Sequence, residues 1–252
     1  DCGWPYFIAL HDKTRPSGWN SDELSELAIE ESDNEKSVLV IVNTKRKAAG
    51  VYNYLRDKVD LPVFHLSTSL YPAHRLEKLE QINSLLNNNR PLILISTQLI
   101  EAGVDVDFDV VIRSLAGMDS IAQAAGRCNR HGGKEYQGRV LLINSSEENL
   151  SRLPEILTAK QKTERILEEF RTNSEHFQDH LLSDPAIERF FQYYYYDRSG
   201  EMVYLVDHKT PVGRKDNLVD LLSRNDQSVK AYMNKNQNQR PRRFLCQSFS
   251  TA

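Results

Sequence analysis

Hydrophobic positions along the chain fall into short, unbroken apolar runs separated by longer stretches with helical spacing. Runs near 38–42, 63–66, 92–96, 109–113 and 139–143 are each too short for a helix and apolar on both faces, which predicts buried strands. Between them, Ala48, Tyr52, Leu55 and Val59 mark the inner face of a helix near 45–58. Leu76, Leu79, Ile82 and Leu86 do the same for a helix near 72–87. After the strand near 109–113 comes a helix that Asp119 can cap and Gly132-Gly133 can end. Such repetition predicts an α/β fold with a parallel sheet sandwiched by helices, and no internal repeat is visible.

The flanks have a different texture. Residues 22–35 carry seven carboxylates and no lysine or arginine, with Leu24, Leu27 and Ala28 at helical spacing, which reads as a short exposed helix. Beyond Asn144 the pattern predicts a long polar helix over about 147–177, an aromatic helix over 185–196, a strand over 202–206 and a helix over 217–233. The run Tyr193-Tyr194-Tyr195-Tyr196 could stack bases, but four consecutive residues cannot share one helix face, which favours packing with exposed hydroxyls. The last 26 residues hold five cations and no acid, a solvated linker or a phosphate-tracking segment.

Candidate chemistry concentrates in two stretches. In Gln123-Ala124-Ala125-Gly126-Arg127-Cys128-Asn129-Arg130, the residues Gln123, Arg127 and Arg130 recur at i, i+4 and i+7 and would share one side of a single helix. Planar guanidinium forks suit a transferring phosphoryl group, where an arginine can contribute about 10³ to 10⁵ in rate. Gly126 would admit a phosphate or another backbone at close range. Upstream, the strand ending at Thr97 sets a hydroxyl at the carboxyl edge of a sheet. Gly103 then gives a tight turn, and Asp105 offers a carboxylate to a ribose hydroxyl. Both stretches are expected to converge on one rim of the sheet.

These residues carry a resemblance. Ser96 to Asp107, the segment Val110 to Ser120, and the Gln123 to Arg130 stretch resemble motifs V and VI of superfamily 2 helicases, in the wording of the CRISPR-associated helicase-nuclease of type I systems. Val38 to Thr44 and His65 to Arg75 are similar to the elements that precede motif V in that family, and the likeness is dense from Ser37 to Ile143. The resemblance implies a RecA-like second helicase lobe over 37–146. Around it would lie a lead-in from a missing first lobe over 1–36, a helical extension over 147–234 and a truncated basic linker over 235–252.

By that resemblance, Arg127 and Arg130 reach the γ-phosphate of ATP held between two lobes, Gln123 helps sense it, and Gly103, Asp105 and Gly126 border the nucleotide. Thr97, Asn43, Thr44, Ser67 and Thr68 would hold backbone phosphates of single-stranded DNA, although strand-end and helix-cap roles explain Asn43-Thr44 and Ser67-Thr68 equally well. The implied partners are the first helicase lobe and HD nuclease of the full-length chain and the Cascade surveillance complex. The implied activity is unwinding in the 3′ to 5′ direction coupled to degradation.

What the sequence lacks bounds that expectation. A motor needs a glycine-rich phosphate loop and an acidic pair, yet Gly132-Gly133-Lys134 is followed by Glu135 instead of a hydroxyl. Mg²⁺ is therefore expected on the missing lobe, and the fragment alone is expected to be inactive. His11-Asp12 lacks the further ligands a metal-dependent nuclease requires, so no metal site is assigned. The net charge of −3 excludes global basicity but not a local phosphate groove. Cys2, Cys128 and Cys246 form no C-x-x-C pair, and Val38–Val42 falls far short of the roughly 20 apolar residues a membrane span needs. A reduced, cytoplasmic protein without a membrane partner is expected. The competing readings are a lobe of another superfamily 2 translocase, such as a restriction-modification enzyme, and a docking module without motor function.

Overall fold

The computed structural model describes residues 8–33, 36–68, 70–100, 104–129, 138–197, 205–207 and 215–217. Six strands form one sheet: β1 (Ile8–Asp12), β2 (Val38–Ile41), β3 (Val63–Leu66), β4 (Ile93–Ser96), β5 (Val110–Ser114) and β6 (Gly138–Ile143). Their order is β1-β6-β5-β2-β4-β3, and every neighbouring pair is parallel. The four central strands are apolar at consecutive positions because helices cover both faces. Val38, Val40, Ile93, Ile95, Val110 and Ile112 feed one core, and Leu39, Ile41, Leu94, Val111, Val140 and Leu142 the other.

The first core is closed by α1 (Ser21–Ser32) and α2 (Lys45–Arg56), which insert Leu24, Leu27, Ala28, Ala48, Val51 and Leu55. The second is closed by α3 (Pro72–Asn87), α4 (Met118–Ala125), α5 (Pro154–Thr172) and α6 (Asp184–Asp197), through Ile82, Met118, Ile121, Ile166, Leu167 and Phe190. Each such aliphatic side chain contributes about 1.5–3 kcal/mol on leaving water. Among the described residues, no helix is long and apolar enough to cross a membrane. A separate compact unit begins at Tyr195 and contains an antiparallel pair, β7 (Leu205–Asp207) with β8 (Lys215–Asn217).

Several sequence expectations are corrected. Residues 8–32 are not an external lead-in: β1 pairs with β6, and the acidic helix α1 buries Leu24 and Ala28 completely. Its carboxylates occupy the outer face, and Asn20 with Glu23 forms a reciprocal capping box that starts it. The polar helix expected from 147 begins only at Pro154, which supplies a first-turn residue that needs no N–H partner. Asp119 is not the cap of α4. Gly117 holds that position, and a Cβ there would collide with the Asp119 carboxylate. The helix expected over 217–233 and the basic tail lie outside the described residues, apart from Asn217, which ends β8.

Candidate nucleotide and nucleic-acid interface

The carboxyl ends of the strands form one rim. Along the order β5-β2-β4-β3 it presents Leu115, Asn43 with Thr44, Thr97, and Ser67 with Thr68 in succession. Connections leave β5 and β2 in opposite directions, toward β6 and toward β3, so the gap between them is the point where open α/β sheets form a crevice.

A polar network fills this gap. Asn43 Nδ2 donates to Leu115 O at 2.9 Å and to Glu148 Oε2 at 3.0 Å, while its Oδ1 accepts from Arg113 Nη1 at 2.8 Å. Glu148 Oε1 also accepts from the backbone N–H groups of Asn43 at 2.6 Å and Thr44 at 3.0 Å. Arg113 is fully buried and gives a further bond to Ser114 O at 2.6 Å.

The five rim residues named from sequence therefore differ in what they can offer. Asn43 is buried with its amide engaged inside the protein, which is a structural role and not an open phosphate contact. Thr44 caps α2, its hydroxyl accepting from Lys47 N at 3.3 Å. Ser67 is buried, and its carbonyl accepts from Leu70 N at 3.1 Å in a tight turn. Thr68 is exposed and Thr97 half-buried, so these two hydroxyls are the ones presented outward.

The second group lies at the opposite edge. After β4 the chain must cross the sheet to begin parallel β5, and it reaches the amino edge at Phe108 and Asp109. Asp109 Oδ2 accepts from the N–H and hydroxyl of Ser37 at 2.7 Å each, which fixes that edge. Helix α4 descends from the carboxyl rim and stops at Ala125. Gly126 and Arg127 then turn, and Cys128 forms a parallel bridge with Phe108.

Gln123 and Arg127 thus do not share a single helix, because α4 ends at Ala125. The buried Cys128 and Asn129 pull the chain off the helical path, with Asn129 at φ 46°. The Arg127 backbone lies at the amino end of β5, while its guanidinium reaches Ile100 O in the short turn that opens at Thr97.

What the structure does bring together is Arg127 and the segment bearing Asp105. Arg127 Nε donates to Ile100 O at 3.2 Å, and Arg127 O accepts from Phe108 N at 2.9 Å. The 100–108 segment is pinned at both ends to one residue. Within it Val106 and Phe108 are buried, so Asp105 is turned out and exposed. Gln123 is exposed on the last turn of α4. The space beside Gly126 is open: a Cβ there would meet only Gln123 O at 3.4 Å and Ala122 O at 3.6 Å. Gly103 and Arg130 lie outside the described residues.

Asp12 accepts from Thr14 and from Arg171 at 2.9 Å, which anchors the loop after β1 to α5. Burial, with Arg139 and Lys13 nearby, lowers the pKa of His11. In the tyrosine run, Tyr193 donates to Glu169 at 2.6 Å beneath the Arg165 guanidinium, and Tyr194 stacks on Phe190 with centroids 5.7 Å apart. Both are packing residues. Arg113 and Glu148 were missed from sequence. Arg113 had a signal, being a cation inside an apolar strand, whereas Glu148 looked like any carboxylate of a polar loop.

A fully parallel sheet with helices on both faces, with one polar rim and an arginine-bearing turn at the other edge, defines a RecA-like α/β lobe. Residues 34–133 match the family described as CRISPR-associated nuclease/helicase Cas3, C-terminal. The chain is 30% identical over 177 residues to the CRISPR-associated nuclease/helicase Cas3 of Methanothermobacter thermautotrophicus, covering 68% of this chain and 20% of that protein. It is 46% identical over 71 residues to the protein of the same name from Haloferax volcanii, covering 28% of this chain and 8% of the relative.

The crystal structure of T. fusca Cas3-AMPPNP superimposes with a TM-score of 0.59 at 20% identity, covering 77% of this chain and 26% of that one. Sequence and fold together support the C-terminal helicase region of Cas3 as the counterpart of this chain. The chain spans 20% or less of the length of these two curated relatives.

Proposed function

We propose that this chain is the second motor lobe of an ATP-dependent translocase that moves 3′ to 5′ along single-stranded DNA and feeds a nuclease in type I CRISPR interference. The observation that carries the reading is the pair of bonds by which Arg127 meets Ile100 O at 3.2 Å and Phe108 N at 2.9 Å, one on each side of Asp105 in sequence. Arg127 and Arg130 act on the γ-phosphate, Gln123 senses it, and Gly103, Asp105 and Gly126 border the nucleotide.

Mg²⁺ and the remaining phosphate contacts come from a first lobe, so this chain alone does not turn over ATP. At the carboxyl rim Thr97 and Thr68 hold DNA phosphates, with Thr44, Ser67 and Asn43 shaping the surface behind them. Closure on ATP and reopening after hydrolysis ratchet the two lobes along the strand, as in ligand-driven hinge closure. The first lobe and HD nuclease of the same full-length protein and the Cascade complex are the partners, and the cytoplasm is the setting.

Mixing this chain with a separately expressed first lobe and single-stranded DNA tests the assignment. Restored ATP turnover that is lost in Arg130→Ala supports a motor lobe, while absence of turnover in every combination supports a docking module instead.

A further inference from the structure

Tyr71 is the second most exposed large hydrophobic side chain among the described residues, at 76%, and local geometry holds it there. The turn closed by Leu70 N on Ser67 O sends Leu70 into the core, so its neighbour faces outward. Pro72 opens α3 and keeps Tyr71 extended, with φ −59° and ψ 145°. The ring stands edge-on to His74, with centroids 6.2 Å apart.

One turn along the same helix face is Arg75, whose backbone N–H bonds Tyr71 O at 3.0 Å. Its guanidinium has no acidic partner among the described residues, and its Nε is buried without a hydrogen bond. The first turn of α3 carries no acid. Glu77 follows Arg75 by two positions and so does not face it. All of this lies at the end of β3 beside Thr68, next to Thr97 on the paired strand β4.

We infer that Tyr71 and Arg75 form a clamp for one nucleotide of single-stranded DNA, the ring stacking on the base and the guanidinium holding the adjacent phosphate. The inference rests on the reading of this rim as the DNA-binding edge. A phenol ring fits any base, so the clamp is indifferent to sequence, as a translocating strand requires. The fork beside it adds a contact to the backbone that the rim hydroxyls cannot supply with charge. A protein partner would be expected to meet an apolar surface ringed by balanced charge. Here a cation without an acidic partner among the described residues follows the ring by one helical turn, on the helix that starts beside the strand ends carrying Thr68 and Thr97, which complements a polyanion with flat faces.

The test compares binding of the 252-residue chain to a fluorescent thymidine 20-mer and to an abasic 20-mer. Tyr71→Ala is expected to weaken the thymidine strand about 5- to 100-fold and leave the abasic strand unchanged. Tyr71→Phe should retain affinity, and Arg75→Ala should weaken both strands. Thermal melting of Tyr71→Ala should match the parent, since the side chain is exposed. Parent binding to both strands that Tyr71→Ala leaves intact, or weakens equally, overturns the clamp alone. A parent chain that binds neither strand overturns the clamp and the DNA-binding rim together.

Discussion

Glu148 holds Asn43 from two sides, its carboxylate accepting from the Asn43 backbone N–H at 2.6 Å and from Nδ2 at 3.0 Å. The segment after β6 is thereby locked over the gap between β2 and β5. Removing the carboxylate strands the buried Asn43 N–H and loosens the acceptor side of Arg113. Glu148→Ala should cost about 1–3 kcal/mol of stability. Glu148→Gln should cost less, because one oxygen still accepts. Urea denaturation of the three proteins checks the order.

Gly138 and Gly126 flank the Arg127 turn but differ in the room they leave. A Cβ on Gly138 would meet Cys128 Sγ at 2.7 Å and Asn129 Cβ at 2.9 Å, both held in the bridge to Phe108, whereas Gly126 has only ordinary contacts. Gly138→Ala should therefore lower stability by about 1–3 kcal/mol, and Gly126→Ala should leave it nearly unchanged. Paired thermal melts decide this. A loss of ATP turnover in Gly126→Ala without a loss of stability would mark that position as a nucleotide contact.

The β-α alternation was legible because strands covered on both faces need unbroken apolar runs, and Val63–Leu66 and Pro72–Asn87 fall where the pattern put them. The end of α4 was not legible. Cys128 continues a helical spacing, and only its burial against Phe108 and Arg139 reveals a bridge in place of another turn. β1 was missed because Ile8-Ala9-Leu10-His11-Asp12 is short and ends in polar residues, and its partner strand lies 130 positions away (138 − 8 = 130). Arg127 and Asp105 were identifiable as chemistry, but their shared edge depends on how the chain crosses the sheet after β4, which no local pattern encodes.

His65 packs against Tyr52 with the rings tilted and centroids 5.5 Å apart, and burial, together with Lys78, lowers its pKa below the ordinary 6.5. The pKa of His11 is lowered in the same direction. Both are neutral in the folded and unfolded states above that value. As pH falls below 6.5 the unfolded chain takes up protons before the folded one, so stability declines. Denaturation midpoints should fall between pH 7 and pH 5, and His65→Gln should show a shallower decline.

The central claim is that Arg127, bound to the Asp105 segment, works on the phosphate of a nucleotide shared with another lobe. The most direct measurement is single-stranded-DNA-stimulated ATP turnover by the complemented motor, parent against Arg127→Ala, with DNA affinity recorded in parallel. The account predicts a fall in kcat of about 10³-fold or more with DNA affinity retained. Turnover equal to the parent at equal folding would contradict it.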